Sequence, residues 1–256
     1  MKNRRSVICM LLALLLVLAG CAKANVSGAA APAEETKAAP TGTIAQTEAP
    51  ETTQAPETTA APEETTAENP LSLGRMEGGT YSNAYAGFAC DLDSDWTYYS
   101  AEELQELPEN SKALLEGTEV GETVEGLEYI SDMMAENVNE LATINVLFQK
   151  MSMQERLLYA VMSEDELMDA VLTQSDTLIS SYAQAGMDVT SMEKATFSFL
   201  GEERTGIRTV GSSNGVDFYI LQVFDYGAGQ YSVTLTLTSF LEDKTESLLE
   251  LFYPVE

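Results

Sequence analysis

Asp91, Asp93 and Asp95 alternate along the chain, and Glu102 falls at the twelfth position counted from Asp91. Oxygen ligands at the first, third, fifth and twelfth positions are what a calcium-wrapping loop supplies, because a hard cation gathers carboxylate oxygens. These four side chains are the candidate metal ligands; calcium is the candidate ion, and no other cofactor is implied. Such loops turn sharply on a glycine at the sixth position, and here that residue is Trp96. The competing reading is a solvated Asp-rich turn between strands. Trp96, Tyr98 and Tyr99 offer flat faces on which a carbohydrate or peptide could stack. Core packing competes for Trp96, and on a strand the two tyrosines must face opposite ways.

A second acidic run, Glu116, Glu119, Glu122, Glu125 and Glu128, recurs every third residue among glycines. It reads as a solvated loop, with weak cation caging as the alternative. The chain carries no histidine, which removes every Ser-His and Cys-His nucleophile pair and the commonest zinc ligand. Cys90, with no histidine to activate it, reads as a small core residue. Ser191-Met192-Glu193-Lys194 matches the Ser-x-x-Lys of penicillin-binding enzymes, but Ser191 precedes a strand where that motif opens a helix. The sequence therefore assigns no catalytic residue and argues against an enzyme. A hydrolase built on paired carboxylates is a further alternative, although no spacing selects a pair. With 41 acidic and 13 basic residues and a net charge of −28, the chain is no nucleic-acid binder.

The elements that must position these residues can be read from pattern. Thr80–Tyr85 and Gly87–Leu92 read as short strands, with Phe88, Cys90 and Leu92 on one face. Trp96–Tyr99 follows the Asp-rich turn, and Ser100 with Glu103 forms a capping box for a helix ending before Pro108. Tyr129–Ala135 and Thr143–Met151 read as a hairpin that turns Ile144, Val146 and Phe148 inward. Ser163 with Glu166 opens one long helix to about Ala185, with Gly186 beyond it. Strands follow at about Lys194–Leu200, Thr205–Val210, Val216–Asp225 and Gln230–Ser239. The last alternates Val233, Leu235 and Leu237 with Thr234, Thr236 and Thr238, which predicts one buried face. A final helix is expected over Glu242–Phe252. Hairpin-linked strand groups separated by helices argue for an α+β fold, an antiparallel sheet flanked by helices.

Upstream lies a different kind of sequence. Lys2, Arg4 and Arg5 precede the apolar run Val7–Leu18, which is too short to span a bilayer core of roughly 30 Å. Leu18-Ala19-Gly20-Cys21 follows directly, and it resembles the bacterial lipoprotein signal. That resemblance implies cleavage before Cys21 and a diacylglyceryl group on Cys21, so residues 1–20 are the expected signal peptide. Two acyl chains make a stable membrane anchor. Residues 22–72 hold six of the eight prolines and no aromatic residue, and they repeat Ala-Pro-Glu-Thr-Thr at 49–53 and 55–59. A segment so poor in apolar surface is expected to stay disordered as a stalk. From residue 73 onward there are 33 acidic and eight basic residues, in a stretch long enough for one domain with a core.

The segment Tyr81-Ser82-Asn83-Ala84-Tyr85-Ala86-Gly87-Phe88, the Asp95-Trp96 turn, the helix start at Ser100–Glu103 and the strand-rich C-terminal third together resemble the PsbP-like fold. That fold is shared by photosystem-associated PsbP proteins and by envelope lipoproteins of the DcrB and LpqN type. Lipoproteins of Gram-positive gut bacteria with a Thr/Glu/Pro stalk are similar in layout. The resemblance implies an α/β/α sandwich over residues 73–256 and a non-catalytic binding or assembly module, and it transfers no catalytic motif. The expected location is the extracytoplasmic face of the cell membrane, with a protein or envelope component as partner. A cation- or small-solute-binding lipoprotein is the alternative.

Overall fold

The computed structural model describes residues 71–107, 128–184, 186–226 and 229–255. The expected signal, Cys21, the stalk up to residue 70 and all of the acidic run except Glu128 lie outside them.

Two antiparallel sheets stack face to face, and helices cover the far side of the larger one. The small sheet has the order β1-β2-β3-β11, from β1 (Arg75–Glu77), β2 (Thr80–Asn83), β3 (Phe88–Asp91) and β11 (Phe252–Pro254). The large sheet begins with β4 (Thr97–Tyr98), β5 (Tyr129–Asn137) and β6 (Ala142–Lys150). It continues through β10 (Tyr231–Phe240), β9 (Val216–Asp225), β8 (Glu202–Ser213) and β7 (Met187–Phe199). The expected antiparallel α+β architecture is thus observed.

The helical layer comprises α1 (101–107), α2 (Met153–Tyr159), α3 (Glu164–Leu172) and α4 (Ser175–Gln184). A short α5 (Thr245–Leu249) sits between β10 and β11. Ser100 caps α1 as its spacing with Glu103 predicts, the two side chains bonding reciprocally across the first turn. Ser163 and Glu166 do the same for α3. The single long helix expected from Ser163 is broken in two. Thr173 turns its hydroxyl onto the Ala170 carbonyl at 2.6 Å, so the chain ends α3 there and restarts at Ser175. The short α2 was not expected; it has its own capping box, Ser152 with Glu155.

The core is double. Leu167, Met168, Val171, Leu178 and Tyr182 pack onto Ile207, Phe218 and Ile220 on the helix side. On the other side Tyr81, Phe88 and Cys90 of the small sheet meet Ile144, Val146, Phe148 and Leu235. β10 therefore has two covered faces rather than one. Its threonine face is buried as completely as its aliphatic face, Thr236 and Thr238 being 0 % exposed. Binary pattern alone reads such a strand as half-solvated, since threonine is equally at home in water. The expected closing helix shrinks to five residues, because Pro254 forces the preceding Tyr253 toward extended backbone and the chain joins β3 as a strand.

Register is tied to two bulges. One lies between Ser131 and Met133 in β5, and the extra residue is Asp132. The bulge aims Asp132 at the small sheet, where its carboxylate accepts hydrogen bonds from the Gly74 N–H at 2.9 Å, the Tyr81 hydroxyl at 2.5 Å and Asn83 Nδ2 at 2.8 Å. A second bulge, between Val189 and Ser191, switches the faces of β7. Met187 and Val189 face the helices, while Phe197 and Phe199 join the core between the sheets.

Candidate functional site

The carboxylates proposed as calcium ligands are not drawn together. Asp91, at the end of β3, accepts from the Thr80 hydroxyl at 2.5 Å and from the Tyr253 hydroxyl at 3.1 Å. Asp93 accepts the Asp95 N–H at 2.9 Å, which closes a local turn. Glu102 is exposed on the first turn of α1. Among the described residues no three His, Cys, Asp or Glu side chains gather closely enough to hold a metal ion. The reason is the residue at the sixth position. Trp96 packs against the core between the sheets and leads straight into β4, so the chain leaves the turn instead of wrapping it.

Trp96 and Tyr98 both pack on that core, whereas Tyr99 packs on the opposite side of the large sheet with Leu107, Met134 and Leu147. The three rings form no common platform. Tyr98 donates to the Gly79 carbonyl at 2.9 Å. Cys90 is fully buried, and burial pushes its thiol up to about 12, so it holds its proton at neutral pH. Ser191 lies at the β7 bulge, and Lys194 reaches the other way, to Asp165 at 2.7 Å and Asp169 at 2.9 Å. No penicillin-binding geometry exists there.

A concave site is built elsewhere, from segments far apart in sequence. Among the described residues, β7 is the last strand of the large sheet and pairs only with β8, and β11 is the last strand of the small sheet and pairs only with β3. A groove of about 540 Å³ is lined by both strands together with α5 and the β7–β8 turn. That volume lies within the range of roughly 300–1,000 Å³ of ligand sites. Buried Phe197, Leu249 and Phe252 line it, while exposed Glu246, Glu250 and Ser198 are its polar residues. Leu200 also lines it, from a left-handed backbone (φ 54) that most side chains avoid.

Glu246 and Glu250 are the acidic residues that line the groove. Across the domain, Arg208 binds both Asp243 and Glu246, Arg204 binds Glu164, Lys244 reaches Glu140 at 3.6 Å and Lys150 reaches Glu128 at 2.9 Å. With Lys194 also paired, the described cations are largely committed to the protein's own carboxylates. A second exposed feature is apolar: Met153, Leu157, Leu158 and Val161 on and just after α2 are 70, 64, 41 and 79 % exposed. Met151, just before α2, is buried by contrast.

No family model matches this chain, and no curated protein does. Its backbone is similar to solved structures that include cyanobacterial PsbP (CyanoP) from Synechocystis sp. PCC 6803. This chain and CyanoP share 11 % identity over 76 % of this chain and 100 % of that chain, with a TM-score of 0.39. Among the described residues no helix is long and apolar enough to cross a membrane.

None of the groove residues stood out in the sequence. Tyr253-Pro254 is the one local signal, since a residue before proline is biased to extended backbone and argues for a strand there. The convergence of β7, α5 and β11 is a property of the fold and has no linear signature.

Proposed function

We propose that this protein is a lipid-anchored binding module on the extracytoplasmic face of the cell membrane, and that its folded domain docks a protein or envelope partner without catalysis. The observation that supports the domain's part is the groove between β7 and β11, apolar in its floor and acidic at its rim. The Leu18-Ala19-Gly20-Cys21 tetrad supports the anchor, with Cys21 as the acylated residue. Polymers rich in phosphate are poor candidates for this rim, because like charges in apposition cost binding.

The experiment is site-specific photo-cross-linking on intact cells. A photoreactive amino acid at Ser198 or Tyr253 should capture a stoichiometric partner from the membrane fraction, and the same probe at exposed Asn139 should not. Equal labelling from both positions, or none from either, removes the groove from the proposal.

A further inference from the structure

We propose that the groove receives an extended polypeptide segment with alternating apolar and basic residues, which adds as a strand to the free edge of β7. This inference rests on the binding-module reading above and names its partner class.

Four observations carry it. First, β7 is thirteen residues long, contains no proline and, among the described residues, has no strand paired to its outer edge. An unpaired edge presents a row of N–H and C=O groups that another chain can satisfy. The opposite wall is less suited to the role, since β11 is three residues long and Pro254 has no N–H to donate. Second, the groove is apolar beside the edge, so every other side chain of an added strand could rest on Phe197, Leu249 and Phe252.

Third, the exposed polar walls carry Glu246 and Glu250, which suits lysine or arginine on an incoming segment. Arg208 occupies only one oxygen of Glu246, and a carboxylate has further acceptor sites. Fourth, this chain is a poor source for such a segment. Lys150, Lys194, Arg204, Arg208 and Lys244 are already held in ion pairs, and residues 22–70 contain only Lys23 and Lys37 against eight acidic residues. A second copy would bring its own acidic rim against the first, which like-charge repulsion opposes.

The test uses the full lipidated chain in detergent micelles and a fluorescein-labelled peptide of about nine residues alternating valine and lysine, long enough to span the groove-side half of β7. Three comparison peptides carry glutamate in place of lysine, the same residues sorted into two blocks, or N-methyl groups on alternate backbone amides. Anisotropy should show binding of the alternating lysine peptide alone, weakened roughly fivefold by Glu246→Gln with Glu250→Gln and by added salt. Glu250→Gln by itself, at an exposed position, gives the same direction should the double variant fold poorly.

Equal binding of the acidic, block or N-methylated peptide overturns the inference, as does no binding of the lysine peptide. Sedimentation showing a dimer that the lysine peptide does not dissociate overturns it in favour of a second copy. If Ser198 captures a native partner while the peptide fails, strand addition is wrong and the binding-module reading survives. If both fail, both are wrong.

Discussion

The hydroxyl of Tyr81 donates to the carboxylate of Asp132 at 2.5 Å, which joins the small sheet to the bulge of the large one. Tyr81 is 1 % exposed, and the same carboxylate also holds the Gly74 N–H and Asn83 Nδ2. One side chain therefore fixes the start of the domain and the stacking of the two sheets.

Replacing Asp132 by alanine should cost about 2–4 kcal/mol, since it strands a buried hydroxyl and an amide at once. Urea unfolding monitored by circular dichroism measures it. A cost under about 0.5 kcal/mol would mean that water replaces the carboxylate.

Gly74→Ala should act on the same joint from the other side. An added Cβ would lie 2.2 Å from the Tyr81 ring and 2.7 Å from an Asp132 oxygen, so one of the three must move. The expected loss is about 1–3 kcal/mol, and it should not add fully to that of Asp132→Ala in the double variant.

Alkaline pH should unfold the domain through groups whose burial holds their protons. Burial raises the Cys90 thiol from 9.0 to about 12, and burial, then the Asp132 charge, raises the Tyr81 phenol above its usual 10.0. The unfolded chain releases these protons first, so the stabilisation is complete below pH 9 and is lost as pH climbs toward the folded values. Unfolding midpoints measured from pH 8 to 11 should fall. Cys90→Ala should flatten the fall by about one proton over the range above pH 9. An unchanged slope would show that the thiol is not protected.

Leu241 offers a stabilising change. It is 57 % exposed and has φ 68, a conformation that costs a leucine about 1–2 kcal/mol and a glycine little. Leu241→Gly should raise the unfolding midpoint by a net of about 0.5–1 kcal/mol after the added unfolded-state entropy. A thermal melt decides it, and a lower melting temperature would show that the side chain packs.

The apolar ridge on α2 gives a complementary test. Leu157→Ser together with Val161→Ser should leave stability within about 0.5 kcal/mol, because both side chains are largely exposed. Binding of a hydrophobic dye to the folded protein should drop. A large loss of stability would instead identify the ridge as part of the packed core.

What the sequence showed and what it hid follow from the range of the forces involved. The capping boxes at Ser100 and Ser163 are reciprocal bonds within three residues, and both were legible. So was the hairpin of β5 and β6, with Ile144, Val146 and Phe148 inward. The break at Thr173 was not, because the apolar stripe continues across it to Leu178 and Tyr182 on the same core. The covered threonine face of β10 depends on what packs above it. Asp132 looked like an ordinary acidic residue, and its role exists only because a bulge places it opposite a strand 51 residues earlier. The groove is equally non-local, with Phe197, Glu246 and Phe252 meeting only once both sheets are stacked.

The small sheet also has a mechanical sense. Gly74 and β1 stand at one border of the order β1-β2-β3-β11, and the strand that walls the groove stands at the other. A pull applied to the N-terminal end of the domain is borne first by three β1 residue pairs and the Asp132 clasp. It then runs crosswise through β2 and β3 to the wall of the groove. Force on the N-terminal end of the domain and the shape of the groove wall thus meet in the same four strands, and a rupture-force measurement on wild type and wall variants would read one through the other.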